Sequence, residues 1–168
     1  MLNKRILGIK LSVWLVLGIS YLGLVLRIIV AHYSSADTLG TDLRGDLLHH
    51  RVASNIVDGH GFVMDVGMPY SFNPPGYAYF LAGVYILFGK SWFMIAFSQA
   101  SMSMLSVVFV YLITVKLFDQ NAGLISAGFV SFYPYTIYHS SRVMDTTLFT
   151  FIMLGTLLLV VYCWKLRS

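Results

Sequence analysis

The 168-residue chain reads as an all-α integral membrane protein. About four transmembrane helices are expected, the count following from how many apolar runs reach the ~20 residues a crossing needs. Interfacial helices are expected in the first extracytoplasmic loop. Two observations predict this class. Hydrophobic residues make up 58% of the chain and charged residues only 11%, whereas an average soluble domain is roughly 25% charged. The apolar residues are also gathered into long runs instead of being scattered through amphipathic segments.

The first span is expected over residues 8–31. Met1-Leu2-Asn3-Lys4-Arg5 precedes an apolar run from Leu11 to Ala31. A signal peptide has a similar basic start, but its core is only about 7–15 residues with a small-residue cleavage site. This run is longer and lacks an A-x-A, so it reads as an uncleaved span. Arg27 lies near its outer end, where a long cation can snorkel to the interface.

Residues 32–90 form the expected extracytoplasmic loop. Five of the seven acids, Asp37, Asp42, Asp46, Asp58 and Asp65, fall in its first part, with Arg44 and Arg51 the only cations between residues 32 and 73. One interfacial helix is expected near 45–58. Leu48, Val52 and Ile56 recur at i, i+4 and i+8, a helical stripe that would lie apolar side down on the bilayer. Gly59 and Gly61 can end it. A second interfacial helix is expected near 75–88, where Pro74-Pro75 suits a first turn. The apolar run Tyr77–Phe88 has a helical length of ~18 Å, too short to cross. Tyr77, Tyr79 and Tyr85 read as interface anchors.

Spans 2, 3 and 4 are expected over 91–116, 120–138 and 145–164. Ser98, Ala100, Ser101, Ser103 and Ser106 put small residues on span 2, the usual mark of close helix packing. Charge arbitrates the topology. If 75–88 does not cross, both termini are cytoplasmic, and Lys4, Arg5, Lys10, Lys116, Lys165 and Arg167 all fall inside, as the positive-inside rule prefers. If it crosses, Lys116, Lys165 and Arg167 move outside. The first arrangement is favoured, and it puts the acidic loop and Asp145 on one outer face. The expected location is the plasma membrane, the inner membrane of a bacterium.

Several function classes are disfavoured. The net charge of +4 comes from scattered cations with no recognition motif, so nucleic acid is not an expected partner. The single Cys163 excludes an internal disulfide. His49 and His50 are adjacent and would face apart on a helix, and there is no H-x-x-x-H, so no metal site is read. No cofactor is expected. A transporter would usually carry a mid-membrane acid or charge pair, which the spans lack.

The loop carries the candidate chemistry. Asp46 and Asp145 are carboxylates that could take a proton from an attacking hydroxyl. Arg44, Arg51, Arg142, His49, His50 and His60 could bind a phosphate, arginine through its bidentate fork and neutral histidine through one donor. The simpler readings are that Asp46 caps the loop helix and that Asp145 caps span 4.

Asp46…His50…Ala53…Asn55…Gly59-His60-Gly61-Phe62 is followed by Asn73-Pro74-Pro75-Gly76-Tyr77…Leu87-Phe88-Gly89. Later come Val115-Lys116-Leu117-Phe118, Tyr133-Pro134 and Arg142-Val143-Met144-Asp145. Their order and spacing resemble the N-terminal portion of GT-C glycosyltransferases, of the group with protein O-mannosyltransferases and lipid A aminoarabinose transferases. The resemblance implies a GT-C-like N-terminal half and an inverting transferase whose donor is a polyprenyl-phosphate-linked sugar. It implies that Asp46 is catalytic base or acceptor-positioning carboxylate, and that Asp145 lies near the same outer cavity. His50 stands where the family usually has an aromatic residue, and no second acid follows Asp46. Family members are several times longer. The other expectation is therefore a non-catalytic truncated paralogue, or a small membrane subunit that packs against a longer transferase.

Overall fold

The computed structural model describes residues 5–6, 9–37, 43–65, 68–69 and 74–167. Seven helices follow in order among them. They are α1 (Leu11–Asp37), α2 (Leu43–Val57), α3 (Pro75–Phe88), α4 (Trp92–Leu117), α5 (Gln120–Ser131), α6 (Pro134–Ser140) and α7 (Thr146–Arg167). Two small antiparallel hairpins accompany them: β1 (Arg5–Ile6) pairs β2 (Ile9–Lys10), and β3 (Val63–Asp65) pairs β4 (Met68–Pro69). Neither hairpin is expected from the sequence, since strands this short show no readable alternation.

Among the described residues, three helices are long and apolar enough to cross a bilayer: Leu11–Tyr33 within α1, α4, and Thr146–Trp164 within α7. The protein is an integral membrane protein on this evidence. Helix α4 is the central post, packed against α1, α5 and α7. The inward face of α1 is one regular stripe. Ser12, Val16, Ser20, Gly23, Arg27 and Ala31 are buried at intervals of three or four, while Trp14, Leu15, Leu17, Tyr21, Leu22 and Ile29 are exposed. Small residues let helix backbones approach in lipid, where apolar surface gains nothing by hiding from hydrocarbon. On α4, Ala100, Ser103 and Ser106 are buried in this way. Ser98 and Ser101 instead bond back to the carbonyls of Met94 and Phe97.

Residues 120–138 form no single helix, contrary to the hydropathy expectation. Helix α5 stops at Ser131 after 12 residues, and α6 restarts at Pro134. The residue before a proline is pushed out of the α region, and Tyr133 is extended at φ −68°, ψ 118°. Helix α5 alone is about 18 Å long, less than a hydrocarbon core of ~30 Å. A break at this depth is tolerable only where protein satisfies the freed backbone.

Arg27 supplies that partner. It does not snorkel outward. Its guanidinium is buried and donates to the Ser131 carbonyl (2.9 Å), Ser103 Oγ (2.9 Å), the Gly23 carbonyl (3.0 Å) and Thr136 Oγ1 (3.2 Å). No carboxylate pairs with it among the described residues. Arginine inside a span costs up to roughly 2.5–3.5 kcal/mol on insertion scales, most at the bilayer centre, and these four bonds join α1, α4, α5 and α6 around it.

The outer layer is built differently. The α2 stripe does not lie on the bilayer. Val52 is fully buried with Ala78 of α3, and Leu48, Ile56, Phe62 and Met64 close around them. The apolar face of α2 therefore meets protein, not lipid. Beside it, Ala53, Tyr77, Leu81, Tyr85, Ile95 of α4 and Val143 of the turn before α7 form one cluster. Val143 thus brings the α6–α7 turn to the same end of the bundle as α2 and α3. Asn55 fastens the β3 strand, donating to the carbonyls of Val63 and Met64 at 3.0 Å each. Gly59 and Gly61, at φ 84° and 82°, end α2 in the left-handed region that glycine enters without steric cost.

Candidate functional site

The site is assembled where α2, α3, the head of α4 and the α6–α7 turn meet. Helix α2 carries His49 and His50 in its second turn, and their neighbouring positions on a helix send the two rings to different partners. His49 is 6% exposed and sits edge-on to Tyr77, with ring centroids 4.8 Å apart. His50 Nδ1 lies 2.7 Å from the Tyr85 hydroxyl. Tyr77 and Tyr85 are 3% and 4% exposed, so they are not interface anchors. Only Tyr79 of the three, at 55% exposed, faces outward.

Asp145 follows the turn that Arg142 and Val143 bring to this group, 96 residues further along the chain than His49. It stands at the head of α7, where its carbonyl accepts from the Phe149 N–H at 2.9 Å. Its side chain is exposed. Two effects compete at His49. Burial pushes its pKa down, and the negative charge of Asp145 pulls it up; burial wins. His50 is also pushed down, by burial first and by the positive charge of Lys90 second. Burial raises the Tyr85 hydroxyl to about 12. At neutral pH both imidazoles are therefore uncharged, and each can offer a phosphate one donor but no charge.

Arg142 is the cation of the site. Its guanidinium lies over the Tyr138 ring, 4.8 Å from the centroid. Its carbonyl accepts from Gln99 Nε2 at 2.7 Å and from the Met144 N–H at 2.9 Å. Gln99 Nε2 also donates to the Tyr77 hydroxyl at 3.1 Å. One amide of α4 thus joins α3 to the turn that carries Arg142 and Asp145.

Two expected members lie elsewhere. Arg51 faces solvent and pairs with Asp65 of β3 at 3.3 Å. His60 is exposed in the glycine turn beyond α2, eleven residues past His49. Both fasten or decorate the β3 side of the layer. The backbones of Arg44 and Asp46 lie in the first turn of α2, but their side chains fall outside the described residues. Among the described residues, no three His, Cys or Asp side chains could together hold a metal ion.

A family model, dolichyl-phosphate-mannose-protein mannosyltransferase, matches residues 73–168. The chain belongs to that family. No curated protein and no solved structure matches it. The family match takes in Tyr77, Gln99, Arg142 and Asp145 and stops short of α2. Membership makes a membrane glycosyltransferase, mannosyltransferase-like in type, the broad class of the protein. The α2 half of the site, with His49 and Ala53, is joined to the family half by packing through Val143 and Tyr77.

Sequence reasoning missed Gln99, Tyr77 and Tyr85 as site residues. A signal for the tyrosines exists. Tyr77, Leu81 and Tyr85 recur every fourth residue on one face of α3, the face turned to α2, where two histidines offer polar partners. Gln99 has a weaker signal: it is the sole amide side chain between Trp92 and Leu117.

Proposed function

We propose that this protein transfers a sugar, a hexosyl or pentosyl group, from a polyprenyl-phosphate-linked donor to an acceptor hydroxyl at the outer face of the membrane. The observation that carries the reading is the convergence of α2 and the turn before α7, distant in sequence, on Tyr77 and Gln99, inside a family of mannosyltransferases. An acceptor hydroxyl is a weak nucleophile, and a carboxylate that takes its proton as it attacks lowers the barrier. The new bond forms between acceptor oxygen and the anomeric carbon. The bond from that carbon to the phosphate oxygen breaks, and the phosphate leaves on its lipid. Attack opposite the leaving group inverts the anomeric centre.

In this reading Asp46 and Asp145 are the catalytic carboxylates, one as base and the other orienting the acceptor. Arg142 holds the departing phosphate, which accepts strong charge-assisted bonds. Arg44 is a second candidate cation. The lowered pKa values of His49 and His50 assign them to neutral contacts.

Topology follows the same logic. Val143 packs with α2 and α3, so the loop and the α6–α7 turn share one side. Helix α4 leaves that side, and the broken α5–α6 pair returns to it. Counted with α1 and α7, this reading has four crossings with both termini in the cytoplasm, the arrangement that the positive-inside rule favours.

The test uses the chain reconstituted in proteoliposomes with polyprenyl-phosphate mannose as donor and a hydroxyl acceptor. Wild type is expected to release polyprenyl phosphate in step with transfer. Asp145→Asn and Asp46→Asn are each expected to lower turnover by roughly 10²-fold or more, the scale of a lost general base. Full activity in either variant would refute the role given to that residue.

A further inference from the structure

We propose that Gln99 is a positioning residue of this site, an amide clamp that sets the Arg142–Asp145 turn against the Tyr77–His49 pair. The inference rests on the catalytic reading above but adds a residue and a mechanism to it. Gln99 lies on α4, is 1% exposed, and uses a single nitrogen to bond two elements. Its Nε2 donates to the Arg142 carbonyl at 2.7 Å and to the Tyr77 hydroxyl at 3.1 Å.

The orientation of the amide is fixed by its partners. Oxygen and nitrogen of a glutamine are assigned from the hydrogen bonds around them. Turning the amide over would set its carbonyl oxygen against the carbonyl oxygen of Arg142. Only the nitrogen can bond there. Gln99 Oε1 is left buried and without a partner among the described residues, a polar arrangement that costs free energy and that packing alone would not favour. An apolar side chain of the same size would remove that unpaired oxygen but would take the Nε2 donor from the buried Tyr77 hydroxyl and from the Arg142 carbonyl, which costs free energy in turn. The amide is therefore held by the two elements it joins.

What it fixes is specific. Tyr77 stands edge-on to His49, so holding the hydroxyl of Tyr77 holds the wall behind which His49 is buried. The Arg142 carbonyl also receives the Met144 N–H, so holding it fixes the tight bend that leads directly into Asp145. The charged and titratable groups around position 99 are Tyr77 of α3, His49 of α2, Arg142 and Asp145 of the turn, and Arg27 of α1. Arg27 is one helical turn away, bonded to Ser103. Reactive groups must be held to within a fraction of an ångström for transfer to occur at full rate, and Gln99 touches both halves without reaching the reacting atoms.

The experiment compares wild type, Gln99→Leu and Gln99→Glu as full chains in mild detergent, with thermal melting to verify folding. Gln99→Glu keeps the shape and removes the donor, so it serves if Gln99→Leu fails to fold. The first readout is independent of activity. Diethyl pyrocarbonate modifies exposed histidines, and the tryptic peptide Gly45–Arg51 carries His49 and His50 together. Loss of the clamp frees Tyr77, so modification of His49 is expected to rise several-fold. His50, bonded to Tyr85 instead, is expected to react at its wild-type rate and gives the internal reference. The second readout is transfer. Turnover is expected to fall about tenfold or more while the KM for the lipid-linked donor moves less than about threefold, the signature of lost reacting geometry.

An unchanged His49-to-His50 ratio in a folded variant would overturn the clamp. So would wild-type turnover in both variants. If wild type itself transfers no sugar, the catalytic reading fails, and the His49-to-His50 ratio alone decides whether Gln99 holds Tyr77.

Discussion

The membrane bundle and the layer above it are packed by opposite rules. In the bundle, the inward stripe of α1 mixes Ser12, Ser20, Gly23 and Arg27 with Val16 and Ala31, and its outward face is Trp14, Leu15, Leu17 and Leu22. In the outer layer, the interior is Val52, Ala53, Leu81 and Val84, and the rim carries Arg51, Asp58, Asp65 and Lys90 beside an apolar edge of α3 formed by Tyr79, Ile86, Leu87 and Phe88. The inversion follows from the solvent. Water drives apolar side chains inward, whereas lipid leaves them indifferent and rewards close packing and satisfied polar groups. The residues of the candidate site lie at the seam. Gln99 belongs to a long apolar helix by sequence, yet bonds only to residues of the outer layer.

The comparison can be broken first in the outer layer. Leu81 is fully buried among Ala53, Tyr77 and Tyr85, in a core of the water-soluble kind. Leu81→Ala is expected to cost about 2–5 kcal/mol, the range for emptying such a site. Denaturation in mixed micelles measures it. A loss below about 1 kcal/mol would mean that this layer rests on lipid instead of on a core of its own.

The bundle makes the opposite demand, and two glycines of α1 separate its faces. A Cβ on Gly23 would meet Ser131 Oγ and lie 3.0 Å from the Arg27 guanidinium, whereas one on Gly18 would meet nothing within 4 Å. Gly23→Ala is expected to destabilise by about 1–3 kcal/mol as overpacking does. Gly18→Ala is expected to be neutral or to gain up to about 1 kcal/mol from helix propensity. Equal melting of the two variants would contradict the seating of Arg27 beneath the α5–α6 break.

The smallest effect belongs to the rim. The Arg51–Asp65 pair spans 3.3 Å with both side chains more than half exposed. Exposed pairs are worth about 0–1 kcal/mol and weaken with salt. Arg51→Ala is expected to leave melting and sugar transfer close to wild type, which would also remove Arg51 from the list of phosphate ligands. A large loss of transfer would restore it.

Much of this architecture is legible in the residues. Long apolar runs announce α1, α4 and α7, because a bilayer fixes both length and composition. Leu48, Val52 and Ile56 announce α2, although not what they pack on; a stripe of that kind is identical whether its partner is lipid or another helix. The break after Ser131 was also written in the chain, as Tyr133-Pro134, but averaged hydropathy hides a single proline inside an apolar run. Arg27 misleads for a related reason. Its partners are a freed carbonyl and hydroxyls from three other helices, and no local pattern records them. Gln99 is the same case at the site itself.

The central claim is that α2 and the turn before α7, distant in sequence, close on one site. Its most direct test is the titration of His49, followed by NMR on ring-labelled histidine in detergent. The Asp145 carboxylate opposes the effect of burial on His49, so Asp145→Asn is expected to move the His49 midpoint further below the ordinary value of about 6.5 and to leave His50 in place. The sign carries over to stability. A histidine kept neutral by the fold binds its proton more readily when unfolded, so stability falls as pH drops below about 6.5. That loss is expected to be steeper in Asp145→Asn. A His49 midpoint that does not move on removal of Asp145 would contradict the shared site.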